Sequence, residues 1–150
     1  MTPIAHLDPK VWDQVIAVNL TANYRLIRSM DLLLRQAESA RLVLLTSGAA
    51  ARPRAFWGAY AASKAGLEAL AAVYADETEH TPVRVAVVNP GPMRTKMRAQ
   101  AFPGEDPMTL PVPEEIVPLI LDLARPGSQP PRGVISFPAW REAQLSTAKP

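Results

Sequence analysis

Two short apolar runs constrain this chain more than anything else in it. Leu42-Val43-Leu44-Leu45 leads into Thr46-Ser47-Gly48, and Val83 to Val88, interrupted only by Arg84, stops abruptly at Asn89-Pro90-Gly91-Pro92. A strand with one wet face alternates apolar and polar residues, whereas a strand covered on both faces reads as a continuous apolar run. Both runs therefore predict buried strands of a parallel sheet. Parallel neighbours cannot be joined by a hairpin, so a crossover element, usually a helix, has to lie between them.

The intervening sequence supplies it, because Ala59 to about Glu79 is rich in Ala and Leu and free of Pro. Upstream, Asp8-Pro9 reads as a helix start, with Asp8 capping free N–H groups and Pro9 at the first helical position. Val11, Val15, Val18, Ala22, Leu26 and Met30 follow at helical spacing, Leu32 to Leu34 extend that apolar face, and the exposed side is expected to be polar. Gly48 to Gly58 reads as loop. Pro113-Glu114-Glu115 opens a helix to about Ala124, with acids in the first turn where the helix dipole favours them. Gly133 to Phe137 is a last short strand, and a polar tail follows Trp140. The proline-rich stretch from Pro103 onward is expected to move as a flap or lid. The order αβαβαβ predicts an α/β fold with an open, doubly wound parallel sheet and right-handed crossovers, in which ligands bind outside the carboxyl ends of the strands. The loops after Thr46 and after Val88 stand at such ends.

Composition removes several function classes. At 150 residues, 48% hydrophobic and 20% charged, the chain has the makeup of one globular unit. Its net charge of +2 arises from 16 basic and 14 acidic residues, with no Lys/Arg block to follow a phosphate backbone, so no nucleic acid is expected as partner. Cysteine is absent, which excludes a disulfide scaffold and a Cys-based zinc site and suits a reducing cytoplasm. His6 and His80 lie far apart without carboxylates patterned around them and read as surface or packing residues, so no metal is expected. No run approaches the roughly 20 apolar residues that span a bilayer, and the N-terminus has no charged segment followed by an apolar core. The expectation is a soluble, cytoplasmic protein with no membrane partner.

Tyr60-Ala61-Ala62-Ser63-Lys64 carries the chemistry. Four-residue spacing on a helix places a phenol and an ammonium on one face, a turn apart. A phenol is ordinarily a poor acid or base at neutral pH, and a neighbouring cation stabilises the phenolate. Taken alone the pair also describes an ordinary solvated helix face, Ser47 a strand-end hydroxyl, Asn19 a helix polar residue, and Asn89-Pro90-Gly91 a plain turn.

These residues do not stand alone. Ser47 closes the first apolar run in Leu-Leu-Thr-Ser-Gly, and Val-Val-Asn-Pro-Gly-Pro closes the second. Trp12-Asp13-x-x-Ile16-x-Val18-Asn19-Leu20 lies upstream. In order and separation the set resembles the short-chain dehydrogenase/reductase family over about residues 8 to 125. The resemblance implies a partial Rossmann-like sheet of about three strands with flanking helices. It implies a catalytic set of Asn19, Ser47, Tyr60 and Lys64. Tyr60 would exchange a proton with the substrate oxygen, and Ser47 would hydrogen-bond the same oxygen. Lys64 would favour the phenolate and hold the nicotinamide ribose, while Asn19 would position a water linking Lys64 to solvent. Pro90-Gly91-Pro92-Met93-Arg94-Thr95 is similar to the family's Pro-Gly-x-x-x-Thr, so Pro90, Gly91, Met93 and Thr95 would hold the carboxamide end of NAD or NADP, with Gly91 allowing close approach. Phe56 and Trp57 are placed to wall a pocket for a small alcohol or carbonyl substrate, and Met97 to Phe102 falls where the family carries its substrate loop.

The family pattern also includes a glycine-rich turn for the pyrophosphate and a residue that separates NAD from NADP, and this sequence has no counterpart of either. At its other end Phe137-Pro138-Ala139-Trp140 replaces a Gly-rich close. Residues 1–150 are therefore expected to form a single partial catalytic domain lacking the N-terminal dinucleotide-binding half. Its first strand should have an unpaired edge, and its two long helices should pair with a second copy. Two functions are consistent with this reading: an NAD(P)-dependent oxidoreductase, or a catalytically silent fragment acting as an oligomerisation or interaction module.

Overall fold

A computed structural model describes residues 2–147. Its helices are α1 (Pro9–Ile16), α2 (Ala22–Gln36), α3 (Gly48–Ala51), α4 (Gly58–Glu77), α5 (Lys96–Ala101), α6 (Val117–Ala124) and α7 (Phe137–Thr147). The strands β1 (Ala40–Leu45), β2 (Val83–Asn89) and β3 (Val134–Ser136) pair in parallel in the order β1-β2-β3. Leu45 stands opposite Val88 and Asn89 opposite Ser136, so the carboxyl ends are level and the loops beyond them meet.

Side chains alternate across this sheet. Ala40, Leu42 and Leu44 of β1 and Val83, Val85 and Val87 of β2 face α2 and α4, meeting Ile27, Leu67, Ala71 and Tyr74. Val43, Ala86, Val88 and Ile135 face the opposite way, against Leu119 and Leu123 of α6 and Phe137. Helices on both faces are the reason the strands read as unbroken apolar runs. The outer edge of β1 carries no further strand among the described residues.

Several local expectations need correction. The first helix runs from Pro9 to Gln36 as expected, but its pitch is not uniform, because Ala17–Thr21 widens into a π-type turn between α1 and α2. A wide turn shifts the phase of the residues after it relative to an ordinary helix. Ile27 is the buried residue of α2, whereas Val18, Leu26, Met30, Leu32 and Leu33 are exposed, and the solvent side is therefore not polar. Gly48 to Gly58 is not all loop: the Ser47 hydroxyl accepts a hydrogen bond from the Ala49 N–H at 3.2 Å and caps α3. Pro113–Ile116 forms a 3₁₀ turn ahead of α6, with the Glu115 carboxylate accepting from the Val112 N–H. The segment expected as a polar tail is mostly helix α7, because Phe137 is buried and anchors it; residues 148–150 lie outside the described residues. Both histidines are exposed. Among the described residues no helix is long and apolar enough to cross a membrane, and no group of three His, Cys, Asp or Glu could hold a metal ion.

Candidate active site

A cavity of about 770 Å³ opens where β1 and β2 end. Ser47, Tyr60, Pro90, Gly91, Met93 and Thr95 all contribute to its wall. Lys64 and Asn19 are not among the residues that line it. The Lys64 ammonium lies 5.9 Å from the centre of the Tyr60 ring, and its Nζ donates to the Leu45 carbonyl at 3.0 Å. Burial pushes the Lys64 pKa below its ordinary value.

Asn19 sits in the wide turn between α1 and α2. Its Nδ2 donates to the Ser63 hydroxyl at 3.1 Å, and Ser63 in turn donates to the Tyr60 carbonyl at 2.8 Å. The Asn19 carbonyl accepts from Asn23 Nδ2 at 2.9 Å. Ser63 is fully buried, so this chain of bonds couples the turn to the backbone of Tyr60 away from water. A second link comes from Thr46, whose buried hydroxyl donates to the Glu68 carboxylate at 2.6 Å and joins the end of β1 to α4 one turn beyond Lys64.

The opposite rim is formed by the turn after β2. Asn89 Oδ1 accepts from the Gly91 N–H at 3.0 Å. Gly91 has φ 70°, the left-handed region that favours glycine. A Cβ there would lie 2.7 Å from Pro138 Cγ, so the neighbour that approaches Gly91 closely is α7. The need for glycine at this position is thus met within the protein itself. Thr95 caps α5, accepting from the Arg98 N–H at 3.2 Å.

Aromatic residues complete the wall. The Trp57 ring meets Tyr60 edge-on at 5.6 Å between centroids and lies 5.8 Å from Phe102. Phe56 holds φ 72°, uncommon for a bulky side chain, and is exposed at the cavity mouth. The stretch expected to move as a flap is tied down by Arg94, which donates to the carbonyls of Pro107 and Leu110, and by the Arg98–Glu105 ion pair. Ser63, the Thr46–Glu68 link, the cavity arginines and Pro138 were not singled out from the sequence. Their partners lie in other elements, and no spacing rule connects them.

The arrangement is a cavity at the carboxyl edge of a parallel sheet, where open α/β sheets bind their ligands. The family model for short chain dehydrogenases matches residues 1–106. The uncharacterized oxidoreductase YciK of Escherichia coli K12 is 43% identical over 119 residues, which is 79% of this chain and 47% of that protein. The crystal structure of a short chain dehydrogenase from Salmonella enterica serovar Typhi superposes with TM-score 0.84 at 39% identity, covering 91% of this chain and 56% of that one. A Shigella flexneri structure described as a short chain dehydrogenase complexed with NADP gives TM-score 0.82 at 40% identity, covering 89% and 56%. This chain belongs to the short-chain dehydrogenase family. It spans about half the length of YciK.

Proposed function

We propose that this chain carries the nicotinamide end and the proton-handling residues of an NAD(P)-dependent oxidoreductase that interconverts an alcohol and a carbonyl compound. The observation that carries this reading is the shared cavity wall, to which β1 contributes Ser47, α4 contributes Tyr60, and the turn after β2 contributes Gly91 to Thr95. The NADP complex of the Shigella relative supports the cofactor class.

The residues present fit one end of such a cofactor. Asn89 fixes the turn at Gly91, and Thr95 uses its oxygen to cap α5, which leaves its O–H free to meet a carboxamide. No glycine-rich turn for a pyrophosphate occurs in the sequence, so the fit is to the nicotinamide end. A bound nicotinamide supplies the hydride acceptor or donor.

The chain's own residues handle the proton. The Tyr60 hydroxyl gives its proton to the substrate oxygen during reduction and takes it back during oxidation. The Ser47 oxygen is occupied by the Ala49 N–H, so its hydrogen is left to donate to that same substrate oxygen. Lys64, held by Leu45, places positive charge beside the Tyr60 ring. Asn19, tied to Tyr60 through Ser63, is set at the wide turn to hold a water that returns protons from solvent toward Lys64. The test is oxidation of NADPH and NADH by the purified chain with carbonyl substrates. Tyr60→Phe should lower turnover by about 10²-fold or more while cofactor affinity is retained. Equal turnover in the variant removes Tyr60 from the mechanism.

A second reading is favoured by the exposed apolar side chains Leu26 and Leu33 on α2 and Val73 on α4. Large apolar side chains left exposed on two long helices are of the kind an interface covers, and we propose association of two copies through these helices. Sedimentation should show a dimer that Leu26→Glu with Leu33→Glu dissociates, and a monomeric unsubstituted chain rejects it.

A further inference from the structure

We infer that the substrate is an aromatic ketone or aldehyde that also bears a carboxylate, or the corresponding hydroxy acid; this rests on the oxidoreductase reading above. Two features of the cavity lead there. The first is an aromatic slot. Trp57 meets Tyr60 at 5.6 Å and Phe102 at 5.8 Å between ring centroids, and Met93 and Met97 add apolar surface to the same cavity wall. Flat rings gain most from such a slot, through edge-to-face and offset contacts with the walls and through sulfur contacts.

The second feature is charge. Three arginines, Arg52, Arg54 and Arg98, reach the cavity wall, and neither Asp nor Glu does. They are not equivalent. Arg98 is already neutralised: its Nε and Nη2 donate to the two Glu105 oxygens at 2.6 and 2.7 Å, and its guanidinium carbon lies 3.6 Å from the centre of the Phe102 ring. It serves as backing for the aromatic wall. Arg52 and Arg54 have no carboxylate partner among the described residues. Both are exposed and line the same cavity, in the segment that runs from α3 to Phe56 and Trp57, so their positive charge belongs to the wall that carries the aromatic residues. A ring carrying a carboxylate on the side away from the carbonyl places each part against its complement. The anion meets the two unpaired guanidinium groups, the ring lies between Trp57 and the methionines, and the carbonyl oxygen lies at Tyr60 and Ser47. In reduction, hydride from the reduced nicotinamide forms the new C–H bond at the carbonyl carbon as the C=O π bond breaks. The Tyr60 proton goes to the oxygen, and the carboxylate is unchanged.

The test is isothermal titration of the chain with para-acetylbenzoate and with its neutral counterpart para-methylacetophenone. The carboxylate should bind about tenfold more tightly at low ionic strength. That ratio should fall toward one in Arg52→Ala with Arg54→Ala, and also in the unsubstituted chain at about 1 M salt, where screening is nearly complete. The salt arm needs no variant to fold. Equal affinities, or no binding of either compound to the folded chain, overturn the inference. If the double substitution weakens NADPH binding instead and leaves the ratio unchanged, the arginines serve a cofactor phosphate and the inference also fails. Selective binding of the keto acid with no NADPH oxidation upholds the pocket chemistry and counts against the oxidoreductase reading alone.

Discussion

Lys64 Nζ donates to the carbonyl of Leu45 at 3.0 Å, which fastens the half-buried ammonium of α4 to the last residue of β1, just ahead of Ser47. Burial pushes the Lys64 pKa down from 10.5, so the folded chain gives up this proton at lower pH than the unfolded chain does. In the window below 10.5 the unfolded state holds more protons, and the contribution of this site to stability therefore rises with pH across it. Denaturant midpoints taken from neutral pH toward that value should carry an upward component that Lys64→Met removes. An identical pH profile in the variant rules the linkage out.

Tyr74 behaves with the opposite sign. It is buried on α4, and its hydroxyl donates to Asp31 Oδ1 at 2.8 Å. Burial first, and Asp31 second, push the Tyr74 pKa up from 10.0 to about 12. Its contribution is fully present below 10.0 and is lost as pH rises through about 12, because the folded state keeps the proton longer. Tyr74→Phe should lower stability at neutral pH by about 1–2 kcal/mol and flatten the alkaline decline. Unchanged alkaline unfolding in that variant contradicts the assignment.

Gly91 and Pro138 form a pair whose coupling is measurable. Gly91→Ala adds a methyl group 2.7 Å from Pro138 Cγ on a backbone at φ 70°, and should destabilise the chain by about 1–3 kcal/mol. Pro138→Ala removes the ring atom in the way and leaves the backbone strain. A double-mutant cycle on urea unfolding should therefore recover part of the loss and show a coupling of about 0.5 kcal/mol or more. Strict additivity places the close contact elsewhere.

Much of the fold was legible because it was written as local pattern. Unbroken apolar runs marked β1 and β2, and Asp8-Pro9 marked the start of α1, where the Asp8 carboxylate does accept from the Lys10 N–H at 2.8 Å. Part of the cavity wall was also visible, since Ser47 and the Pro90–Thr95 segment follow strands and Tyr60 lies in the first turn of a helix. The wide turn at Ala17–Thr21 was not legible, because apolar spacing on either side of it fits an ordinary helix equally well. The part of α7 after Trp140 was read as a polar tail because the residues that hold the helix, Phe137 and Trp140 against α6, both lie in its first turn.

The sequence by itself determined the two apolar strands, the helix that joins them and the Tyr60–Lys64 spacing, since each depends on neighbours in the chain and on the periods of helix and strand. Only the tertiary structure decided which groups became partners across elements. Asn19 reaches Tyr60 through Ser63, Thr46 pairs with Glu68, Pro138 closes on Gly91, and Glu105 neutralises Arg98, while Arg52 and Arg54 have no carboxylate partner among the described residues. Such pairings arise from packing the two faces of the sheet, and residues far apart in the chain leave no periodic trace of it.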